Sequence, residues 1–309
     1  MGMIRIGISG WTYPPWRGVF FPPKLAHRRE LAFAASQVSS IEINGTFYSL
    51  QTPASYAKWH DETPENFVFS VKGPRYITHL RRLKDCAIPL ANFFASGVLR
   101  LGKKLGPILW QLPPSFHFDS GRLEKFLGML PKNTIAAAKL AHRHDHKVGH
   151  TWMQTRRRPL RHAMEVRHES FCTPEFVRLL RKHGVALVVA DTAGKWPLME
   201  DMTASFTYVR LHGDEELYAS GYSAKALAGW EAKIRAWHCG KNPSGAKLFG
   251  RFKNIPKSRD IFVYFDNDVK VRAPYDAMSL AHRLGIGRKP AKPPTTAREP
   301  GVPRQKWPE

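Results

Sequence analysis

The sequence predicts an α/β chain, with a single (β/α)8 TIM-like barrel over residues 1–287 and a disordered basic tail over 288–309. Three observations carry this reading. Eight short runs rich in β-branched and aromatic residues alternate with helix-like stretches, the order that builds parallel sheets through right-handed crossovers. Eight such units in about 285 residues suit a closed barrel, whose usual size is about 250. Nearly every strand-like run ends in a charged, amide or ring-bearing residue, as strands do at the C-terminal mouth of a barrel.

The strand-like runs are IRIGIS (4–9), SSIEIN (39–44), FVFSVK (67–72), PILWQL (107–112), HAMEVR (162–167), VALVVAD (185–191), FTYVRLH (206–212) and IFVYFDND (261–268). Helix-like stretches cover 24–36, a segment opened by Thr52-Pro53, and 84–101, 120–141, 173–183, 222–238 and 272–284. The segment CTPEFVRLLRKHG (172–184) is the plainest helix: Thr173 caps it, Pro174 and Glu175 fill its first turn, basic residues close it and Gly184 ends it. An open doubly wound sheet is the competing arrangement. Its nucleotide-binding form carries a glycine fingerprint after the first strand, whereas GISGWTYPPW leads into aromatics and prolines.

Composition narrows the class. Hydrophobic residues make up 43% and aromatics 12%, enough for a globular core. The absence of a run of 18 uncharged apolar residues speaks against a membrane-spanning helix, and the start, MGMIRIGISGW, has no secretory-signal pattern. Cys86, Cys172 and Cys239 lie far apart without CxxC spacing, which fits free thiols in a reducing cytoplasm. Net charge is +23, so anions and nucleic acids are attracted at long range. The tail holds six prolines and six Lys or Arg against two Glu; removing its +4 leaves +19 on the body.

The strand ends supply the candidate site. In the run AMEVRHESF (163–171), Glu165 and Arg167 stand two apart and share one face of a strand. Glu42 and Asn44 likewise share the face opposite Ile41 and Ile43. Lys72, Gln111, Asp191, Arg210, His212, Asn267 and Asp268 end further strands. One such end reads as a satisfied core pair. Eight converging on one mouth read as a functional pocket, because buried charges must neutralise one another. Aromatic residues in the segments after the strands, Trp11 and Tyr48 among them, suit stacking on a ring.

The blocks GISGWTYPPWRGVFFP (7–22), EINGTFYSLQTP (42–53), FVFSVKGPRYITH (67–79), LGPILWQLPPSF (105–116), EVRHESF (165–171), VVAD (188–191), VRLHG (209–213) and YFDNDVKVRAPYDA (264–277) resemble, in order, the YecE-like family, catalogued as domain of unknown function 72. The resemblance implies a TIM-like barrel and a bacterial cytosolic protein and supplies no activity. Phe21 stands where the family often has Tyr. The segment HRHDHKVGHTWMQTRRRPLRH (142–162) is unusually basic. Its His142, His144 and His146 do not share a helix face, so it reads as a solvated excursion.

Three chemistries fit the strand ends. Glu165, Asp191 and His212 could hold a divalent metal, with Lys72, Arg167 and Arg210 gripping a phosphate, which makes a phosphoester hydrolase. Glu42 and Glu165 could act without metal on a glycoside. The mouth could instead only bind a nucleic acid or an anionic metabolite. The three cations beside the acids favour the phosphate-bearing substrate. The catalytic candidates are thus Glu42, Glu165, Asp191 and His212. The substrate-binding candidates are Trp11, Asn44, Tyr48, Lys72, His79, Gln111, Arg167, His168, Arg210, Asn267 and Asp268.

Overall fold

Strand β1 (Ile4–Ser9) pairs in parallel with both β2 (Ser40–Ile43) and β8 (Asp260–Phe265), so the sheet has no edge. Between them, β3 (Val68–Lys72), β4 (Leu105–Gln111), β5 (His162–Glu165), β6 (Ala186–Asp191) and β7 (Phe206–Leu211) follow in sequence order. The chain is thus an eight-stranded closed parallel barrel. The computed structural model describes residues 2–250, 258–268 and 271–290; most of the expected tail, 291–309, lies outside the described residues.

Parity along the strands decides what each side chain meets. Ile6, Ile8, Ile41, Ile43, Phe69, Val71, Trp110, Val189, Val209 and Val263 belong to the large apolar layer beneath the helices. The alternate residues Leu109, Ala163, Ala186, Val188, Ala190, Phe206, Tyr208, Phe262 and Tyr264 fill the barrel interior. At Gly7 the walls approach so closely that a Cβ would fall 1.8 Å from the Ser40 carbonyl oxygen, which only glycine permits.

Among the described residues the helices are α1 (Glu30–Gln37), α2 (Gly45–Tyr48), α3 (Pro53–Asp61), α4 (Ala87–Ala95), α5 (Ser120–Met129), α6 (Thr134–Ala141), α7 (Pro174–His183), α8 (Ala224–His238) and α9 (Ala273–Arg283). The cap of α7 is formed as its sequence predicts: Thr173 accepts from Phe176 N at 3.2 Å, and Gly184 adopts φ 65°. Two expected helices are each broken. The stretch 84–101 stops at Gly97 (φ 111°) and continues as a 3-10 segment. The stretch 120–141 divides at Leu130-Pro131, since proline cannot extend α5; Asn133 then caps α6 by accepting from Ala136 N at 2.9 Å. The described chain between β6 and β7 contains no helix.

Candidate active site at the barrel mouth

Above the apolar interior lies a layer of hydroxyls. Tyr264 OH and Ser40 Oγ stand 2.8 Å apart, and Tyr208 OH and Ser70 Oγ stand 2.6 Å apart. Tyr208 also donates to Glu42 Oε2 at 2.6 Å, and Ser9 donates to Glu42 Oε1 at 3.0 Å. On this layer rests Arg210, fully buried. Its guanidinium donates to Glu42 (2.9 and 3.2 Å), Glu165 (2.7 Å) and Asp266 (2.7 Å). These carboxylates come from β2, from β5 and from the residue after β8, so one cation ties together the barrel's far sides. Gln111 Oε1 is 3.5 Å from Nη1. Burial would weaken the guanidinium's proton, but Glu42, Asp266 and Glu165 outweigh it and hold the group charged well past its ordinary range.

Glu165 is shared with Arg167, whose Nε donates at 2.7 Å. Burial pushes the Glu165 carboxyl up, yet Arg167 and Arg210 together hold it far below the usual carboxylate range. Arg167 in turn lies over the Trp196 ring at 3.9 Å and reaches Tyr218 OH at 3.3 Å. It also lines an adjoining cleft of about 580 Å³ with Lys195, Trp196 and Lys247. His212 is buried beside Arg210. Its Nε2 lies 3.4 Å from Nη1, and its Nδ1 lies 3.0 Å from Asp266 Oδ2, without the alignment of a hydrogen bond. Burial and the Arg210 charge lower its basicity, against the opposing pull of Asp266 and Glu165.

Lys72 differs from these groups. It is 9% exposed, and its Nζ sits 4.2 Å from the Phe47 ring centroid. Among the described residues it forms no ion pair. Burial and the Arg210 charge lower its pKa to about 8, against the opposing pull of Glu42, Asp266 and Glu165. His79 meets the same Phe47 ring edge-on at 5.0 Å. Burial and the charges of Lys72, Arg167 and Arg75 bring it to about 4, so the region around His79 is electropositive. Helix α2 fixes Phe47 there: Thr46 Oγ1 donates to the carbonyls of Ile43 (3.0 Å) and Lys72 (2.6 Å). Tyr48 stands on the rim, 52% exposed.

The last two acids of the cluster have been driven apart. Asp266 is pushed up by burial but pulled down by Arg210 and His212, to about 2. Asp268 is pushed far up, by burial and by the Asp266 charge. Its Oδ1 is buried with no hydrogen-bond partner among the described residues. The two carboxyls are thus pushed in opposite directions.

The structure brings Glu42, Lys72, Gln111, Glu165, Arg167, Arg210 and His212 to one mouth, with His79 and Asp268 beside them. Other expected placements need correction. Asp191 follows outward Leu187 and Val189 and faces away from the interior; it accepts from Tyr222 OH at 3.0 Å. Asn267 is also outward, donating to Asp276 Oδ2 at 2.8 Å; its inward neighbour Asp266 takes the place expected for it. Trp11 packs edge-on against Trp59 at 5.6 Å and near Phe69, on the helix side. His168 caps a short turn through Ser170 and lies 3.9 Å from the His117 ring, off the central cluster. Asn44 precedes α2, and its Oδ1 is buried without a partner among the described residues.

The triad Glu165, Asp191 and His212 is therefore not assembled, and the donor set does not fit a metal. Arg210 fills the space between the carboxylates, and a guanidinium and a cation compete for the same oxygens. Among the described residues no three His, Cys, Asp or Glu side chains converge as a metal site. The histidines of the basic excursion do not converge either: His142 and His146 are exposed, and His144 Nδ1 stands 3.0 Å from its neighbour's carbonyl. Among the described residues no helix is long and apolar enough to cross a membrane.

Comparison with known proteins agrees with the fold. The chain is 26% identical over 238 residues to the UPF0759 protein YecE of Escherichia coli K12, covering 76% of this chain and 82% of that one. It is 31% identical over 119 residues to the UPF0759 protein YunF of Bacillus subtilis, covering 37% and 41%. Among solved structures it is similar to a DUF72 family protein from Thermotoga maritima, with a TM-score of 0.68 at 22% identity over 92% of this chain and 99% of that one. A DUF72 family protein from Enterococcus faecalis gives 0.66 at 16% identity over 93% and 97%. These two likenesses show the barrel alone. The family model described as "Protein of unknown function DUF72" matches residues 5–300, and the chain belongs to that family.

Proposed function

We propose that the barrel mouth is the active site of an enzyme acting on a small phosphate-bearing substrate, with acid–base chemistry supplied by the chain's own side chains. The observation that carries this is the free ammonium of Lys72. Arg210 is spent on three carboxylates and Arg167 on Glu165, whereas Lys72 forms no ion pair of its own among the described residues. An ammonium that opens to the mouth without a carboxylate partner leaves its charge for a ligand anion to meet. The net charge of +23 adds long-range attraction. Asp268 is the acid–base candidate, because adjacent carboxyls with pKa values pushed apart divide the acid and base roles.

The glycoside reading is disfavoured by Arg210, which lies between Glu42 and Glu165 and bonds to both. Two carboxyls working on a sugar need that space for the scissile bond or a water. The test is thermal protection by inorganic phosphate, pyrophosphate and sugar phosphates, compared with neutral sugars. Phosphate compounds should stabilise the wild type and fail to stabilise Lys72→Met. Equal protection by neutral sugars would sink the reading. Turnover is then sought on the protecting compounds, and loss of it in Asp268→Asn assigns the acid–base group.

A further inference from the structure

We infer that Lys72 is a covalent nucleophile, forming an imine with the carbonyl carbon of a small anionic aldehyde or ketone bound at the mouth. The inference rests on the anionic-substrate reading and names the second functional group of that substrate.

Several features of the site converge. An imine-forming lysine needs a neutral amine, an apolar wall, freedom from carboxylate partners and a group to move protons. The Nζ of Lys72 has an aromatic wall in Phe47, 4.2 Å away. It is the mouth lysine that no carboxylate holds among the described residues. Its reduced basicity, with a pKa of about 8, leaves about a tenth of it neutral at pH 7. His79, on the edge of the same ring, is an imidazole that stays neutral down to about pH 4. Arg75, whose charge acts on His79 and which is not engaged with Glu165, is the candidate to hold an anionic group.

The step balances without an external reagent. The neutral amine adds to the carbonyl carbon, and the resulting carbinolamine loses its nitrogen proton to His79. His79 returns that proton to the hydroxyl, which departs as water, and the carbon–nitrogen double bond forms. Hydrolysis reverses each transfer. Protonated at nitrogen by solvent, the imine becomes an iminium that withdraws electrons from the adjacent carbon, and Asp268 lies in the same cluster for the proton exchange this invites.

The test uses the full chain with sodium cyanoborohydride and, separately, glyoxylate, pyruvate, dihydroxyacetone phosphate and glyceraldehyde 3-phosphate, followed by peptide mass mapping. The expected result is a reduced adduct on Lys72 forming about tenfold faster or more than on the exposed Lys139 and Lys225. Lys72→Arg, which keeps the charge, should lose that adduct and keep its thermal protection by pyrophosphate. Absence of a Lys72 adduct with all four compounds overturns the imine, and so does an adduct spread evenly over Lys72 and the exposed lysines. Retained pyrophosphate protection in either case leaves the anion-binding reading standing. Its loss in the wild type removes both.

Discussion

Arg210 and Glu42 meet across the barrel interior as a fork, Nη2 to Oε1 at 2.9 Å and Nε to Oε2 at 3.2 Å. The same guanidinium then reaches Glu165 and Asp266. Replacing it with Met strands three buried carboxyls. Arg210→Met should destabilise the fold by about 3–5 kcal/mol, the usual cost of breaking a buried pair from one side. Urea unfolding measures this. Arg210→Lys should recover only part, since an ammonium cannot form the fork. A loss below about 1 kcal/mol would show that the network does not hold the barrel.

Tyr208 donates to Glu42 at 2.6 Å and touches Ser70 at 2.6 Å. Tyr208→Phe keeps the ring and removes a hydrogen bond to an acidic partner, for an expected loss of about 1.5–3 kcal/mol. Ser70→Ala should cost less, because the hydroxyl of Tyr208 keeps its bond to Glu42. The order of the two in equilibrium unfolding is the check, and its reversal would place the energy in the Ser70 contact.

His162 is enclosed between Trp110 Nε1, which donates to its Nδ1 at 3.2 Å, and the Pro131 carbonyl, 2.8 Å from its Nε2. A second ring proton would point at the Trp110 N–H. Burial, the larger cause, brings its pKa to about 4. The unfolded ring takes its proton near 6.5, so the unfolded state binds more protons between those values. Stability is full above about pH 6.5 and falls by about 3 kcal/mol from this group as pH drops to about 4. His162→Gln should be less stable at pH 7 and should show a shallower decline over that window. Equal slopes in urea titrations at several pH values would reject the assignment.

Acid should act on the central cluster later. The carboxyls of Glu165 and Asp266 are held low by their cations. Their contribution is present above the unfolded carboxyl range, near 4, and is lost as pH falls toward about 2. Glu165→Gln should therefore flatten the unfolding curve below pH 4 and leave the His162 window unchanged.

Anion binding should fade with alkali. Burial and the Arg210 charge, partly offset by Glu42, Asp266 and Glu165, bring the Lys72 ammonium to a pKa of about 8. Thermal protection by pyrophosphate should decline as pH rises from 7 to 9 in the wild type and persist in Lys72→Arg, whose guanidinium stays charged. A flat wild-type profile would remove Lys72 from the binding site.

The barrel was legible because its segments keep one order, strand then helix, and because turns and caps carry specific residues. The site was legible where one strand face is polar. Alternation against Ile41 and Ile43 sets Glu42 inward, and the pairing of Glu165 with Arg167 follows from their spacing. It was illegible where both faces are apolar. In VALVVAD and IFVYFD nothing in the sequence marks the interior face, since parallel strands are buried on both sides. The strand-end pattern thus sets Asp191 and Asn267 inward and gives no mark to Asp266, one residue from Asn267. Trp11 and His168 follow strands in turns, where the two-residue period no longer holds.

The sharing of Arg210 among three strands bears on how such a barrel can be altered. The residues that balance charge in its centre are the same ones that shape its mouth. A single exchange there leaves a charge stranded, while a concerted exchange of the guanidinium with its carboxyls for well-packed apolar groups can be neutral or stabilising. Neighbours wired in this way are non-additive. Mutational drift at the centre therefore meets a ratchet: each one-step path crosses an unstable intermediate, and only multi-site replacement reaches a new arrangement. Anyone recasting this scaffold for another reaction should redesign Glu42, Glu165, Arg210 and Asp266 as one unit and vary the rim one position at a time.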